Sequence, residues 1–263
     1  VRTIVITGGT DGMGAALARH YLAAGDRVVV IGRSRAKFDA LSASNAAFIA
    51  ADLSLVQDSR RAIDQLRQEH DRIDALVLAA SFIRQRRHVT TEGHEASWSL
   101  FFLSKYLFVT GLADLLTAAD KPVVVNTAVP GARADAIDFD DLEMADGFTF
   151  RRSNAHQRRA NELLGILATK QNPALSYITW GPTRLVRTSF AGEVGTGMKV
   201  AAAIMAPLLG QRAEDAVRPI IGLIDTPTPG RAAYRGAKPR PLTVGAHDEQ
   251  DAARLGTGVE ANI

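Results

Sequence analysis

Two stretches of the chain carry residue types and spacings that can do chemistry. The first is TGGTDGMG, residues 7–14, between an apolar run and an apolar-periodic segment. Gly8 permits a tight turn, Gly12 lets backbone approach a diphosphate with no Cβ in the way, and Gly14 allows close helix–strand packing. Thr10, Asp11 and Met13 fill the loop, and the helix that follows turns free N–H groups and a positive dipole end toward phosphate. The second stretch is SNAHQRRAN, residues 153–161, which gathers Asn154, His156, Arg158 and Arg159 at the start of a helical pattern. Ser153 or Asn154 could cap that helix by accepting from its first-turn N–H groups. A basic helix start and the edge of a site are both open readings of it.

The elements that must position these residues follow from periodicity. RTIVIT (2–7), RVVVIG (27–32), AAFIAADL (46–53), IDALVLAA (73–80), PVVVNTAV (122–129) and LSYITW (175–180) are short apolar runs of buried-strand type. Helical patterns alternate with them, including a long zone over 92–119 and another over 151–171. Such alternation predicts an α/β fold, a doubly wound Rossmann three-layer sandwich whose mostly parallel sheet has six to seven strands. The ligand crevice then lies outside the carboxyl ends of the strands. A single domain is expected over 1–245, with an irregular lid or substrate loop at about 183–210 and a weakly ordered polar tail over 246–263. One further short strand is expected near 231–235 or 242–244.

Composition narrows the function. The chain has 263 residues, 46% hydrophobic and 22% charged, with net charge +3, an ordinary globular balance. With no cysteine, disulfides and thiolate metal sites are excluded. The six histidines are scattered, so no metal site is expected. No apolar run reaches the 18 or so residues that cross a bilayer, and no membrane partner is expected. The arginines are dispersed among acids, and only RQRR (84–87) is locally dense. That run reads as a solvated loop, so no nucleic-acid partner is expected. A cytoplasmic address is the compositional expectation, and the crevice outside the strands suits a small-molecule substrate.

The spacing Thr-Gly-x-x-x-Gly-x-Gly in its strand–loop–helix setting resembles the short-chain dehydrogenase/reductase family, and the likeness runs to about residue 235. The resemblance implies an NADP(H) cofactor. In that family an acid at the end of the second strand selects NAD and a basic residue selects the 2′-phosphate of NADP; here Arg33 and Ser34 stand at that point. A solvated surface arginine is the alternative reading. Asp52 and Leu53 would meet the adenine, Ala79 the loop after the fourth strand, and Pro182 and Thr188 the nicotinamide end, although Thr183 stands where the family has Gly. A homodimer or homotetramer built on the long helices is also implied.

The resemblance weakens at the family's catalytic Ser, Tyr, Lys and Asn. IDFDDLEMADG (137–147) and the later Ala160, Asn161 and Leu163 resemble the retinol-dehydrogenase-like branch. That register places Asn154 at the Tyr position, Arg158 at the Lys position, Val129 at the Ser position and Phe101 at the Asn position. An Asn side chain donates hydrogen bonds but no proton at neutral pH, and a guanidinium stays charged. Asn154 and Arg158 are then candidates for electrostatic roles, with Arg158 also reaching cofactor ribose. Ser81, Phe101, Lys105 and Val129 are candidates for the substrate pocket. Lys105 lies one turn beyond Phe101 and could enter the site or stay on the surface. Arg84 and His88 could meet an anionic substrate, His156 is expected to face away, and Trp180 could stack on substrate or fill the core.

Three functions remain open. The first is an NADP(H)-dependent oxidoreductase with a rebuilt site, acting on a carbonyl, enone or imine. The second is a non-redox biosynthetic enzyme (cyclase, isomerase or dehydratase) that keeps NADP as a structural cofactor. The third is an NADP(H)-responsive binding protein without catalysis.

Overall fold

The computed structural model of the protein describes residues 1–41, 45–186 and 210–263, together with the backbone of 192–193. Eight strands form one sheet: β1 (Thr3–Thr7), β2 (Arg27–Gly32), β3 (Ala46–Ala50), β4 (Ala75–Leu78), β6 (Val123–Asn126), β7 (Ser176–Gly181), β9 (Gly230–Arg235) and β10 (Lys238–Arg240). Their order is β10-β9-β7-β6-β4-β1-β2-β3. Every pair is parallel except β9–β10. A separate pair joins β5 (Ile83–Arg84) to β8 (Gly192–Glu193). The eight-stranded sheet exceeds the expected six to seven because the Pro/Gly-rich segment after residue 226 turns at Gly236, where φ is +59°, and returns as an edge strand. An edge tolerates Pro239, which has no N–H to give to a neighbour.

The order in which strands join the sheet reverses between β1 and β4, which flank one another, so the crevice opens at the carboxyl ends of those two strands. On one face pack α1 (Gly12–Ala23) and α8 (Ala213–Asp225), with Leu17, Tyr21, Val217 and Ile220 buried against Ile4, Val30 and Trp180. On the other face lie α3 (Val56–Glu69), α5 (Ser104–Gly111), α7 (Phe150–Gln171) and α9 (Asp248–Glu260). Trp180 is wholly buried on the α1/α8 face, and its indole N–H donates to Gly236 O at 2.9 Å, so the core reading of that residue holds.

Three local features depart from expectation. α7 begins at Phe150, because Thr149 supplies the cap: its Oγ1 accepts from Arg152 N at 3.2 Å. Ser153 instead lies inside the helix and accepts from Gln157 Nε2 at 2.7 Å. The long zone over 92–119 is interrupted: α4 (Ala96–Trp98) runs into a π-turn, Ser99–Leu103, before α5, and α6 (Ala113–Thr117) follows. Finally, the expected weakly ordered tail is α9, whose Ala252, Leu255 and Val259 are buried in the core. α9 is fastened to α7 by the buried guanidinium of Arg159, which pairs with Asp248 and, at 3.4 Å, with Glu162.

Candidate functional site

The glycine loop folds as its composition demands. Gly8 has φ +69°, and a Cβ there would meet Ala80 Cα at 2.7 Å; Gly12 has φ +52°. A Cβ on Gly14 would lie 2.3 Å from Gly8 O, so its smallness serves closure of the loop on itself. Thr7 Oγ1 accepts from Ala79 N at 3.1 Å and ties β1 to the end of β4. Asp11 caps α1 by accepting from Gly12 N at 2.7 Å, and its other oxygen pairs with Lys37.

These residues form one wall of a groove of about 670 Å³ across the carboxyl edge of β1, β2 and β4. Gly8, Thr10, Asp11, Gly12, Met13, Gly14, Arg33, Ser34, Asp52, Leu53, Ala79 and Pro182, the residues expected at the cofactor, all line it. Lys37 lines it too, a basic residue that no motif flagged; its position one turn into α2 (Arg35–Asp39) was the available signal. Arg33 is half exposed, 3.8 Å from Asp52, with its guanidinium 5.3 Å from the centre of the Phe82 ring. Thr188 lies outside the described residues, as does most of the 183–210 loop.

A second cavity of about 190 Å³ adjoins the groove and shares Ser81, Ile83 and Arg84 with it. Asn154, Arg158, Ser81, Phe101, Lys105 and Val129 all face it. Arg158 is committed elsewhere in part: its Nε donates to Val129 O at 2.6 Å and its Nη2 to Pro130 O at 2.7 Å. Burial lowers its pKa, Glu162 opposes that, and the nearby Arg235 adds to it. The guanidinium thus braces the loop after β6, which carries Val129. Asn154 is exposed at the cavity mouth. His88 is exposed and lines neither cavity. His156 is buried and packs on Trp98, 4.8 Å between ring centres, away from the cavity as expected.

Lys105 is in the site and off the surface: it is 3% exposed. Its Nζ donates to Asn126 Oδ1 at 2.8 Å. Asn126 closes β6, and its Nδ2 donates to Asn161 Oδ1 at 2.6 Å and to the Tyr177 hydroxyl at 2.8 Å. Tyr177 donates in turn to Asn161 O at 2.9 Å. Asn161 Nδ2 donates to Phe101 O in the π-turn at 2.8 Å, joining α7 to the segment that carries the cavity wall. Burial lowers the Lys105 pKa from 10.5 to about 7, with no charged neighbour contributing. Asn126, Asn161 and Tyr177 were not singled out from sequence as site residues. The one available hint was a terminal amide on the otherwise apolar strand VVVN.

A Tyr-x-x-x-Lys spacing does occur in the chain, at Tyr234 and Lys238, and sequence reasoning overlooked it. The pair sits on the β9–β10 hairpin, not on α7, and lines neither cavity. Among the described residues no cluster of three or more metal-ligating side chains occurs, and no helix is long and apolar enough to cross a membrane.

A doubly wound sheet with a glycine-loop groove at its switch point defines a nucleotide-binding α/β protein. Residues 2–136 match the family model for short chain dehydrogenase, and the chain belongs to that family. It is 28% identical over 220 residues to the NmrA-like family domain-containing oxidoreductase notO of Aspergillus sp. (strain MF297-2), covering 78% of this chain and 66% of that protein. It is 25% identical over 151 residues to human retinol dehydrogenase 13, covering 54% of this chain and 45% of that one. The chain therefore spans about half to two thirds of the length of these relatives. Its fold matches a short-chain dehydrogenase from Sphingobium yanoikuyae in complex with NADPH, with TM-score 0.64, 20% identity, and 100% and 96% of the two chains covered.

Proposed function

We propose that the protein is an NADP(H)-dependent oxidoreductase acting on a small carbonyl, enone or imine compound at a site built differently from that of its family. The observation that carries this reading is the junction of the two cavities at the end of β4. A cofactor in the large groove would present its reactive end to the small one.

The residues present fit the cofactor. Gly12, at φ +52°, lines the groove where a backbone without a Cβ can approach a diphosphate, and the close contacts at Gly8 and Gly14, which admit no Cβ, hold the loop in that shape. Arg33, Ser34 and Lys37 supply positive charge and donors where a 2′-phosphate would lie. When bound, the reduced nicotinamide supplies a hydride. The chain's own part is positioning: Arg158 holds Val129 and Pro130, while Phe101 and Val129 give the substrate apolar walls. Those same walls favour, as a second reading, a non-redox reaction with NADP retained as structure.

Nucleotide titration tests the cofactor assignment: NADPH should bind more tightly than NADH, and Arg33→Ala should remove most of that preference while leaving NADH affinity unchanged. Equal affinities in the wild type would reject it. Consumption of NADPH across a carbonyl, enone and imine panel separates the redox reading from turnover without redox change. Assembly as a homodimer or homotetramer, and cytoplasmic residence, belong to the same proposal; light scattering reads the first.

A further inference from the structure

The small cavity has a polar floor that the family resemblance does not account for. Ser97, Phe101 and Lys105 follow one another at four-residue spacing and all three face it. Phe101 contributes apolar surface between two polar groups. The Ser97 hydroxyl is buried and has no hydrogen-bond partner among the described residues. An orphaned buried hydroxyl is costly and is satisfied when a ligand supplies an acceptor or donor. Lys105 has three N–H donors, of which one goes to Asn126.

Among the described residues no acid lines the cavity beside Lys105. The charged groups on the cavity wall, among the described residues, are Arg84, Lys105 and Arg158, all basic. From β6, Asn126 offers a neutral amide; from α7, Asn161 is neutral; from β7, Tyr177 stays protonated because burial raises its pKa. Arg158 and Asn154, which the family resemblance places at the Lys and Tyr positions, cannot deliver a proton at neutral pH.

We propose that Lys105, as its ammonium, is the catalytic proton donor to a small, uncharged carbonyl compound held in this cavity, with the Ser97 hydroxyl orienting the carbonyl oxygen. The inference rests on the reductase reading above. In the balanced step a hydride forms the new C–H bond at the carbonyl carbon, and the C=O π pair moves to oxygen. That oxygen takes a proton from Lys105 Nζ. The substrate gains two electrons and the cofactor loses two. Lys105 is left as the neutral amine and is reprotonated from solvent through the cavity mouth. An amine whose burial has brought its pKa to about 7 is matched to this work at physiological pH.

The test has two readouts. Lysine-selective NMR follows the Lys105 amine in the wild-type protein with and without NADP+. A titration near neutrality is expected; a value near that of free lysine overturns the proposal whatever the enzyme turns over. Steady-state reduction is then measured against pH for the wild type, Lys105→Met and Lys105→Arg. Wild-type kcat/KM should fall about tenfold per pH unit above the amine's measured pKa. Both variants should lose roughly 10²–10⁴-fold in kcat, lose that pH dependence, and keep the wild-type Kd for NADPH. Turnover and pH profile unchanged in Lys105→Met overturn the donor role and leave the reductase reading standing. A wild type that binds but never consumes NADPH overturns both, even where the amine titrates near neutrality.

Discussion

Replacing Lys105 by methionine should make the protein more stable, and by an amount that depends on pH. Burial lowers the Lys105 pKa from 10.5 to about 7, which corresponds to roughly 5 kcal/mol disfavouring the charged form in the fold. Below about pH 7 both folded and unfolded states hold the proton, so the whole cost is present. Between pH 7 and 10.5 the unfolded chain holds a proton that the folded one has released, and stability rises with pH. Above 10.5 the cost is gone. Methionine keeps most of the volume and carries no charge. The hydrogen bond to Asn126 is lost, about 1 kcal/mol, but Asn126 Oδ1 still accepts from Ala128 N at 3.0 Å and is not orphaned. Allowing for relaxation around a buried charge, a net gain of about 2–4 kcal/mol is expected at pH 6, shrinking toward zero or below by pH 10. Urea unfolding at pH 6, 7.5, 9 and 10 measures it through the midpoint at constant m-value. A variant less stable than wild type at pH 6, or a difference that does not change with pH, would refute the reasoning.

Other outcomes follow from single contacts. Burial pushes the His156 pKa down to about 4, so the fold favours the neutral ring. Roughly 3 kcal/mol of stability should be lost as pH falls from about 6.5 to 4, and His156→Phe should flatten that slope in acid unfolding curves. Gly165 lies where α7 meets β7, and a Cβ there would stand 2.6 Å from Tyr177 Cδ1. The ring is held by its hydroxyl, so Gly165→Ala should cost about 1–3 kcal/mol in denaturant unfolding. Arg159→Met leaves the carboxylates of Glu162 and Asp248 without their buried partner; a loss of about 3–5 kcal/mol is expected, with faster proteolysis near residue 246 as α9 detaches.

The parts of the fold readable from sequence are those whose physics is local. The β1–loop–α1 unit shows a buried run, glycines where φ is positive or a Cβ would clash, and a periodic helix, all within about twenty residues. α9 was missed because DEQDAARLGTGVE is mostly polar with two glycines. Its buried residues, Ala252, Leu255 and Val259, form a narrow stripe that only the surface of α7 makes meaningful. Tyr234 and Lys238 show the reverse: the spacing is in the sequence, but a hairpin built around Gly236 puts it in a setting unlike a helix face.

Lys105 was placed on the expected helical face, yet its burial was not legible, since lysine is almost never fully buried without a partner. What decides the matter is the company it keeps, and that is tertiary. Five side chains of Asp, Glu, Lys or Arg are buried among the described residues: Asp26, Glu95, Lys105, Arg159 and Glu162. Asp26 pairs with Arg2 at 2.7 Å, and Arg159 with Glu162 and Asp248. Glu95 accepts from the N–H groups of Ser97 and Trp98 at the start of α4, at 3.0 and 2.7 Å. Lys105 alone has a neutral side-chain amide for its partner. A charge balanced by an opposite charge or by free backbone N–H groups serves the fold. A cation set against an amide at the floor of a cavity weakens the fold, and such local costs concentrate at functional sites.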